Sequence, residues 1–322
     1  MIDPVFSFST YLAGSNSDTT AAVTTDSSGN IYVTGFTQSS DFPIVNGVQP
    51  KLVGTESAFV SKLDPTGHTL LYSTYLGGSS ANYAAAIALD SKGNIIVAGI
   101  SSSNNFPHAG AVPALTCPNT AACYFIASLT PDGSAFNYSG LIGGAANLGY
   151  TDYENQGRLT VDGAGNAYLA DVTDDPNFDI TPGTLAGTVP GYPYDSTFVL
   201  KVDPTGALVY STIVPGNAPQ NAGSLNNIFF PTGISVVSNG QATIAGTAGL
   251  GLPTTAGVIA PTFPNDPNVE DASAGFVLQL NATASAINYA TYVPGTDLIG
   301  GLAVDSMGNS FLTCLLYTSR CV

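Results

Sequence analysis

The sequence predicts an all-β protein made of four-stranded antiparallel units repeated radially, a β-propeller. Three observations predict it. An aromatic-led strand recurs as FSTYL from Phe8, YSTYL from Tyr72, YSGLI from Tyr138, YSTIV from Tyr210 and YATYV from Tyr289, at steps of 64, 66, 72 and 79 residues. A hairpin with an Asp-x-x-Gly-Asn turn recurs alongside it, and so does a second hairpin that is closed twice by Asp-Pro-Thr-Gly. A unit recurring at this scale cannot bury its own faces and must stack on its neighbours.

The first hairpin is AAVTTDSSGNIYVTG (Ala21 to Gly35), with counterparts at Ala86 to Gly99, Leu159 to Asp171 and Leu302 to Thr313. The copy from Ile234 to Gly246 is degenerate, and has neither the Asp-x-x-Gly-Asn turn nor the Pro-Thr-Gly turn. In the regular copies Asp caps the turn, Gly supplies positive φ, and Asn is expected to tolerate it. The second hairpin runs AFVSKLDPTGHTLLYSTYL from Ala58, and recurs from Tyr124, Thr197 and Gly275. Each unit thus has four strands, here a, b, c and d. Strand a is rich in Ala, Val, Leu and Gly, as a crowded axis requires. The expected innermost segments are Ala21–Asp26, Ala86–Asp90, Leu159–Asp162 and Ile234–Val237. Tight turns demand antiparallel neighbours, which disfavours a parallel β-helix. The units exceed the usual blade of about 40–50 residues, and the excess lies in the b–c loops.

The combination of STYLGG, the Asp-Ser-x-Gly-Asn hairpin, the Asp-Phe-Pro loop and AFVSKLDPTG resembles the bacterial SBBP β-propeller repeat family, from Val5 to Thr313. The resemblance implies a propeller in a secreted or envelope-associated bacterial protein. It brings no established catalytic residues.

One domain is expected over 1–313, with full blades near 20–77, 85–143, 158–214 and 233–293 and partial blades at 5–12 and 301–313. With strand c of the last blade missing, Val5–Leu12 is expected to pair poorly. The repeat register fails at Cys314, and CLLYTSRCV (314–322) resembles the translation of a transposase sequencing-library adapter. This tail is read as non-native, against the alternative of an apolar strand end.

The chain has 322 residues, a formal net charge of -16 and 44% hydrophobic residues, with only 9% charged. That field repels nucleic acid and anionic membrane. No apolar run is long enough to span a bilayer as a helix. Cys117 and Cys123 bracket a short b–c loop and are read as a disulfide, with two free thiols as the alternative. The bridge would point to an extracellular or envelope location. Zinc is disfavoured, because no second Cys/His pair has ligand spacing.

In a propeller the d–a and b–c loops share one face, and here everything long and variable lies on it, so binding of a protein or carbohydrate ligand is expected there. Asp18, Asn82, Glu154 and Asp297 stand eight residues before the strand-a Asp of their units. They are read either as a ring of oxygen ligands at the channel mouth or, more simply, as caps of their own turns. The third unit carries Asp171 where its siblings have Gly35, Gly99 and Gly246, and Asp152, Glu154, Asp174 and Asp175 lie nearby. Such a cluster would suit Ca²⁺, against a solvated acidic loop. Phe42, Phe106, Phe178 and Leu252 recur at one b–c loop position, as loop anchors or as a sugar-binding shelf. No G-x-S-x-G, H-E-x-x-H or P-loop is present. The leading expectation is a non-enzymatic binding or structural scaffold. The alternative is a carbohydrate-active enzyme, a glycosidase or lyase, using third-blade carboxylates.

Overall fold

The computed structural model describes residues 8–113, 122–146, 158–173, 175–185, 196–216, 229–264, 273–296 and 298–315, and no helix occurs among them. Sheet one is β1 (Asp18–Thr25), β2 (Ile31–Thr37), β3 (Ser57–Leu63) and β4 (Leu70–Leu76). Sheet two is β5 (Asn82–Leu89), β6 (Ile95–Ser101), β7 (Ala122–Leu129) and β8 (Phe136–Ala146). Sheet three is β9 (Arg158–Val161), β10 (Ala167–Thr173), β11 (Ser196–Val202) and β12 (Leu208–Ile213). Sheet four is β13 (Phe229–Val236), β14 (Ala242–Ala248), β15 (Ala274–Leu280) and β16 (Ile287–Val293). Among the described residues sheet five has β17 (Leu298–Val304) and β18 (Ser310–Leu315). Each four-stranded sheet meanders in sequence order, the blade architecture of a β-propeller. In strand a, β1, β5 and β13 each have 8 residues.

The chain forms two compact units. One is Met1–Ile142 with Tyr150–Gln156 and Pro204–Ala207, and the other is Gly143–Gly149, Gly157–Asp203 and Leu208–Val322. In the first unit β5 lies across β1, β2 and β3. In the second, β13 lies across β9, β10 and β11, and β17 across β13, β14 and β15. Strand a of one blade therefore touches strand a of the blade before it, which makes these the inner strands of the succession.

The core sits between consecutive sheets. Tyr32, Val60 and Tyr72 of sheet one pack against Ile87, Val97 and Phe125 of sheet two. Tyr168, Val199 and Tyr210 of sheet three pack against Ile234, Ile244 and Phe276 of sheet four. Burying a large apolar side chain contributes about 1.5–3 kcal/mol, so these interfaces hold most of the stabilisation.

The strand-d aromatic has a fixed place. Tyr72 lies over Gly133 in the c–d turn of the next blade, so closely that a Cβ there would run into the ring. Phe8 lies over Gly67 in the same way. The described part of the 5–12 segment is therefore not a paired strand, yet Phe8 fills the place of a strand-d aromatic beside sheet one. In sheet four the turn position is Ala284, buried in the core with Tyr210 and held at φ 53.

Each b–c loop folds back over the outer edge of its own strand d. Val45 exchanges backbone hydrogen bonds with Ser73, and Ala109 with Ser139. In sheet three the Thr181 amide donates to the Ser211 carbonyl, and the Thr181 hydroxyl accepts from the Ser211 amide. Thr255 treats Ala290 identically. The extra blade length thus covers an edge that would otherwise be open to strand addition.

The Tyr210 hydroxyl is buried with no protein group in hydrogen-bonding reach. Phe8 shows that the position accepts a ring without it. Tyr210→Phe is expected to raise stability by about 1 kcal/mol in urea titrations, since an unsatisfied buried polar group is costly. Burial first, and then the Asp162 carboxylate, push the Tyr210 hydroxyl well above its ordinary value of 10.0. The unfolded chain loses that proton first, so wild-type stability should fall as pH rises above that value, less steeply in Tyr210→Phe.

Candidate functional site

The long-loop face is held by two polar locks, clearest in the first two blades. The Asp18 carboxylate accepts from the Gly14 amide at 2.8 Å, from the Ser39 hydroxyl at 3.1 Å and from the Thr37 hydroxyl. Asn82 repeats this with its Oδ1, which accepts from the Gly78 amide and the hydroxyls of Ser101 and Ser103 at 3.2, 2.7 and 3.0 Å. Its Nδ2 donates to the carbonyls of Glu56, Gly78 and Ser80. Both residues thus turn their oxygen atoms into their own d–a loop and the end of strand b. Glu154 and Asp297 lie outside the described residues.

The second lock comes from the b–c loop, and sequence reasoning missed it. Asp41 Oδ1 accepts from the amide and hydroxyl of Ser15, both at 2.9 Å. Asn105 Oδ1 accepts from the amide and hydroxyl of Ser79, again at 2.9 Å. The hydrogen bonds to Ser15 hold the exposed Asp41 carboxyl below the ordinary carboxylate value. The signal was the Asp or Asn one residue before each recurring Phe-Pro, aligned with a Ser on the preceding d–a loop.

The recurring apolar loop residues are buried anchors. Phe42 stacks on Phe59 and Phe106 on Phe125 at 4.6 Å, and Phe178 meets Phe198 at 4.9 Å. Leu252 is buried in the core that holds Phe276. Each anchor is therefore buried on its own blade, Phe106 and Leu252 also lie in the cores shared with the preceding sheet, and none offers an exposed shelf.

The opposite face carries the Asp-x-x-Gly-Asn turns. Asp26 Oδ1 accepts from the amides of Ser28 and Asn30, and Oδ2 accepts from the Asn30 side chain at 2.8 Å. Asp90, Asp162 and Asp305 do the same with Asn94, Asn166 and Asn309. Only the Gly takes positive φ, as at Gly29 (80°). The Asn was expected to tolerate positive φ, but it serves as an amide donor to the capping carboxylate instead. In blades one and three the Asp also accepts from a Tyr hydroxyl, with a Lys beside it and over the ring: Asp26, Tyr32 and Lys62, then Asp162, Tyr168 and Lys201. Side-chain donation from Asn30 leads the causes that lower Asp26.

The third blade departs at Asp171. In the other full blades strand a bulges beside the strand-b Gly, and a Cβ on Gly35, Gly99 or Gly246 would meet the carbonyl oxygen of Thr19, Tyr83 or Phe230. The described pairing of β9 with β10 runs without a register shift from Val161 and Ala167 to Arg158 and Ala170. Asp171 is only 7% exposed, and its carboxylate accepts from the Val172 amide. Burial lowers the Arg158 guanidinium below its ordinary value, and the Asp171 charge opposes that shift. The Asp171 charge thus bears on a guanidinium carried by the adjoining strand. Asp175 accepts from the Asn177 amide in its own turn. Asp152, Glu154 and Asp174 lie outside the described residues. Among the described residues no group of three or more His, Cys, Asp or Glu is placed to hold a metal ion. Cys123 is disulfide-bonded, while Cys117 lies outside the described residues, and Cys314 in β18 is a free thiol.

Two outcomes test these assignments. Asn82→Asp turns three donated hydrogen bonds into repulsion at a fully buried site, and should destabilise by about 3 kcal/mol at neutral pH. Part of that loss should return as pH falls and the carboxyl is protonated. Asp171→Asn removes the counter-charge of Arg158, and should cost about 3 kcal/mol equally in Ca²⁺ and in chelator. A loss seen only with Ca²⁺ would place a bound cation at Asp171 instead.

No helix among the described residues is long and apolar enough to cross a membrane. Comparison with curated proteins finds no match. Among solved structures the chain is similar to MPT-4, a mannose phosphorylase from Leishmania mexicana in complex with phosphate ion, at 12% identity and a TM-score of 0.40, covering 91% of this chain and 78% of that one. It is also similar to hydrazine synthase of Kuenenia stuttgartiensis, at 9% identity and TM-score 0.38 over 94% and 77% of the two chains. A third likeness is to the WD40 beta propeller domain of Doa1, at 10% identity and TM-score 0.27 over 89% and 86%. At these TM-scores the overlays carry no argument about what this chain does. Residues 8–43 and 71–107 match the SBBP beta-propeller repeat family. Each matched stretch runs from strand d through a and b to the Phe-Pro anchor, the same stretch that the two locks close. The chain thus carries SBBP beta-propeller repeats.

Proposed function

We propose that the chain is a non-enzymatic binding or structural scaffold module that presents its long-loop face to a protein or carbohydrate ligand outside the cell. The observation that carries this reading is the use of the repeated polar residues on that face. Both oxygens of Asp18 and the Oδ1 of Asp41, Asn82 and Asn105 are engaged in loop-locking hydrogen bonds. A catalytic carboxylate must instead be free to reach a substrate proton. The disulfide-bonded Cys123 supports an oxidising compartment. A net charge of -16 favours neutral or cationic ligands.

A carbohydrate-active enzyme working through third-blade carboxylates is the second reading. It is favoured by the Asp171 and Arg158 pair, a charged departure that only this blade makes. Ca²⁺ at Asp152, Glu154, Asp174 and Asp175 is compatible with either reading.

The test is to offer the purified chain a panel of polysaccharides and aryl glycosides and follow both retention and product. Retention without product is the expected outcome, and it should survive Asp175→Asn. Product formation that disappears in Asp175→Asn would overturn the scaffold reading in favour of the enzyme.

A further inference from the structure

One carboxylate on the long-loop face differs from those that lock its loops. Glu56 stands directly before β3, at the junction of the first and second sheets. Its Oε1 accepts from the side-chain amide of Gln38, which follows β2, and its Oε2 accepts from the Tyr83 hydroxyl on β5. The Tyr83 ring meets Phe36 of β2 edge to face, with centroids 4.9 Å apart and planes at 79°. All four side chains are half-buried, so the group keeps access to solvent.

The repeat separates this group from the locks. Asn82 and Asn105 make with an amide oxygen the contacts that Asp18 and Asp41 make with a carboxylate, so the locks do not require charge. Glu56 has no such substitute. At the positions of Phe36, Gln38 and Glu56 the second blade has Ile100, Ser102 and Ala122, and the fourth has Thr247, Gly249 and Ser273. Both of those blades form the same sheet without the contact. The third-blade counterpart of Glu56, Asp195, lies outside the described residues.

Among the described residues no Lys, Arg or His reaches Glu56, whereas on the opposite face Lys62 and Lys201 pair with Asp26 and Asp162. Two neutral donors aim the Glu56 carboxylate without cancelling its charge. A half-buried anion is costly until a cation answers it. Aromatic rings beside it attract ammonium and guanidinium groups in their own right. The net charge of -16 draws cations to the same face.

We propose that Glu56, Gln38, Phe36 and Tyr83 form a subsite for a basic side chain, a lysine or arginine of a protein partner docked on the long-loop face. The inference rests on the scaffold reading and gives its ligand a chemistry. The cation donates to the remaining lone pairs of Glu56, and its apolar stem packs against the rings.

Calorimetric titration of the purified chain at low salt with an end-blocked peptide of alternating glycine and lysine tests this. The peptide should bind, and the same peptide with its lysines acetylated should not. Glu56→Gln removes the charge at nearly constant shape and should weaken binding about tenfold. Asp41→Asn removes an equal charge from the same face and copies the Asn105 lock, so it should change affinity about twofold at most. In the wild type, the backbone amide resonances of Ser57 and Tyr83 should shift on titration, which locates the peptide even where Glu56→Gln does not fold. A wild type that ignores the peptide, equal losses in Glu56→Gln and Asp41→Asn, or shifts that miss Ser57 and Tyr83 would each overturn the proposal. A chain that ignores the peptide but retains a neutral polysaccharide would lose this inference and keep the scaffold reading. Turnover of an aryl glycoside would remove the scaffold reading and this inference with it.

Discussion

The aromatic ring heading strand d, seated on the next blade's c–d turn, is the contact on which the rest of this architecture depends. A four-stranded sheet has two apolar faces and no means of covering either. The ring fixes the distance at which the next sheet stands, because nothing larger than hydrogen fits beneath Tyr72 at Gly133. Once that spacing is set, the following strand a falls across the inner strands, and the apolar residues between the sheets close on one another. Where the turn has Ala284 in place of Gly, the backbone still keeps the left-handed conformation that the seat requires, at a typical cost of about 1–2 kcal/mol.

The polar residues that look most like a binding site hold loops. Asp18 and Asn82 sit at corresponding positions with different charge, and make the same three acceptor contacts. A site for a cation would distinguish carboxylate from amide strongly, whereas a loop cap accepts either. The third blade is the exception. There a Gly that the bulge would demand is gone, and a carboxylate and a guanidinium occupy adjoining strands.

Much of the fold was legible in the sequence because the signals are local. A turn needs Asp, Gly and Asn within five residues, and a strand face needs alternation over six or seven. The aromatic strand could be counted for the same reason. What escaped were contacts closed over long stretches of chain. The return of Val45 onto Ser73 spans 28 residues, and its sequence has no strand pattern of its own. The partnership of Asp41 with Ser15 joins two loops through a side chain that reads as ordinary loop polarity. Arg158 lies 13 residues from Asp171, so the acidic cluster was read without the guanidinium on the adjoining strand. The Asn of the turn was read as a residue tolerant of positive φ, a backbone role, whereas its side-chain amide donates to the capping carboxylate.

The self-covering loop has a consequence for how such a chain can grow. Each blade brings the segment that closes its own outer edge, the anchor that grips its own strand c, and the side chains that lock its own mouth. A copied gene segment cut anywhere at the same point of the repeat would therefore encode a unit needing nothing from its neighbours except a face to lie against. Lengthening by duplication then requires no compensating change elsewhere, and copies are free to drift in length between the Phe-Pro anchor and strand c.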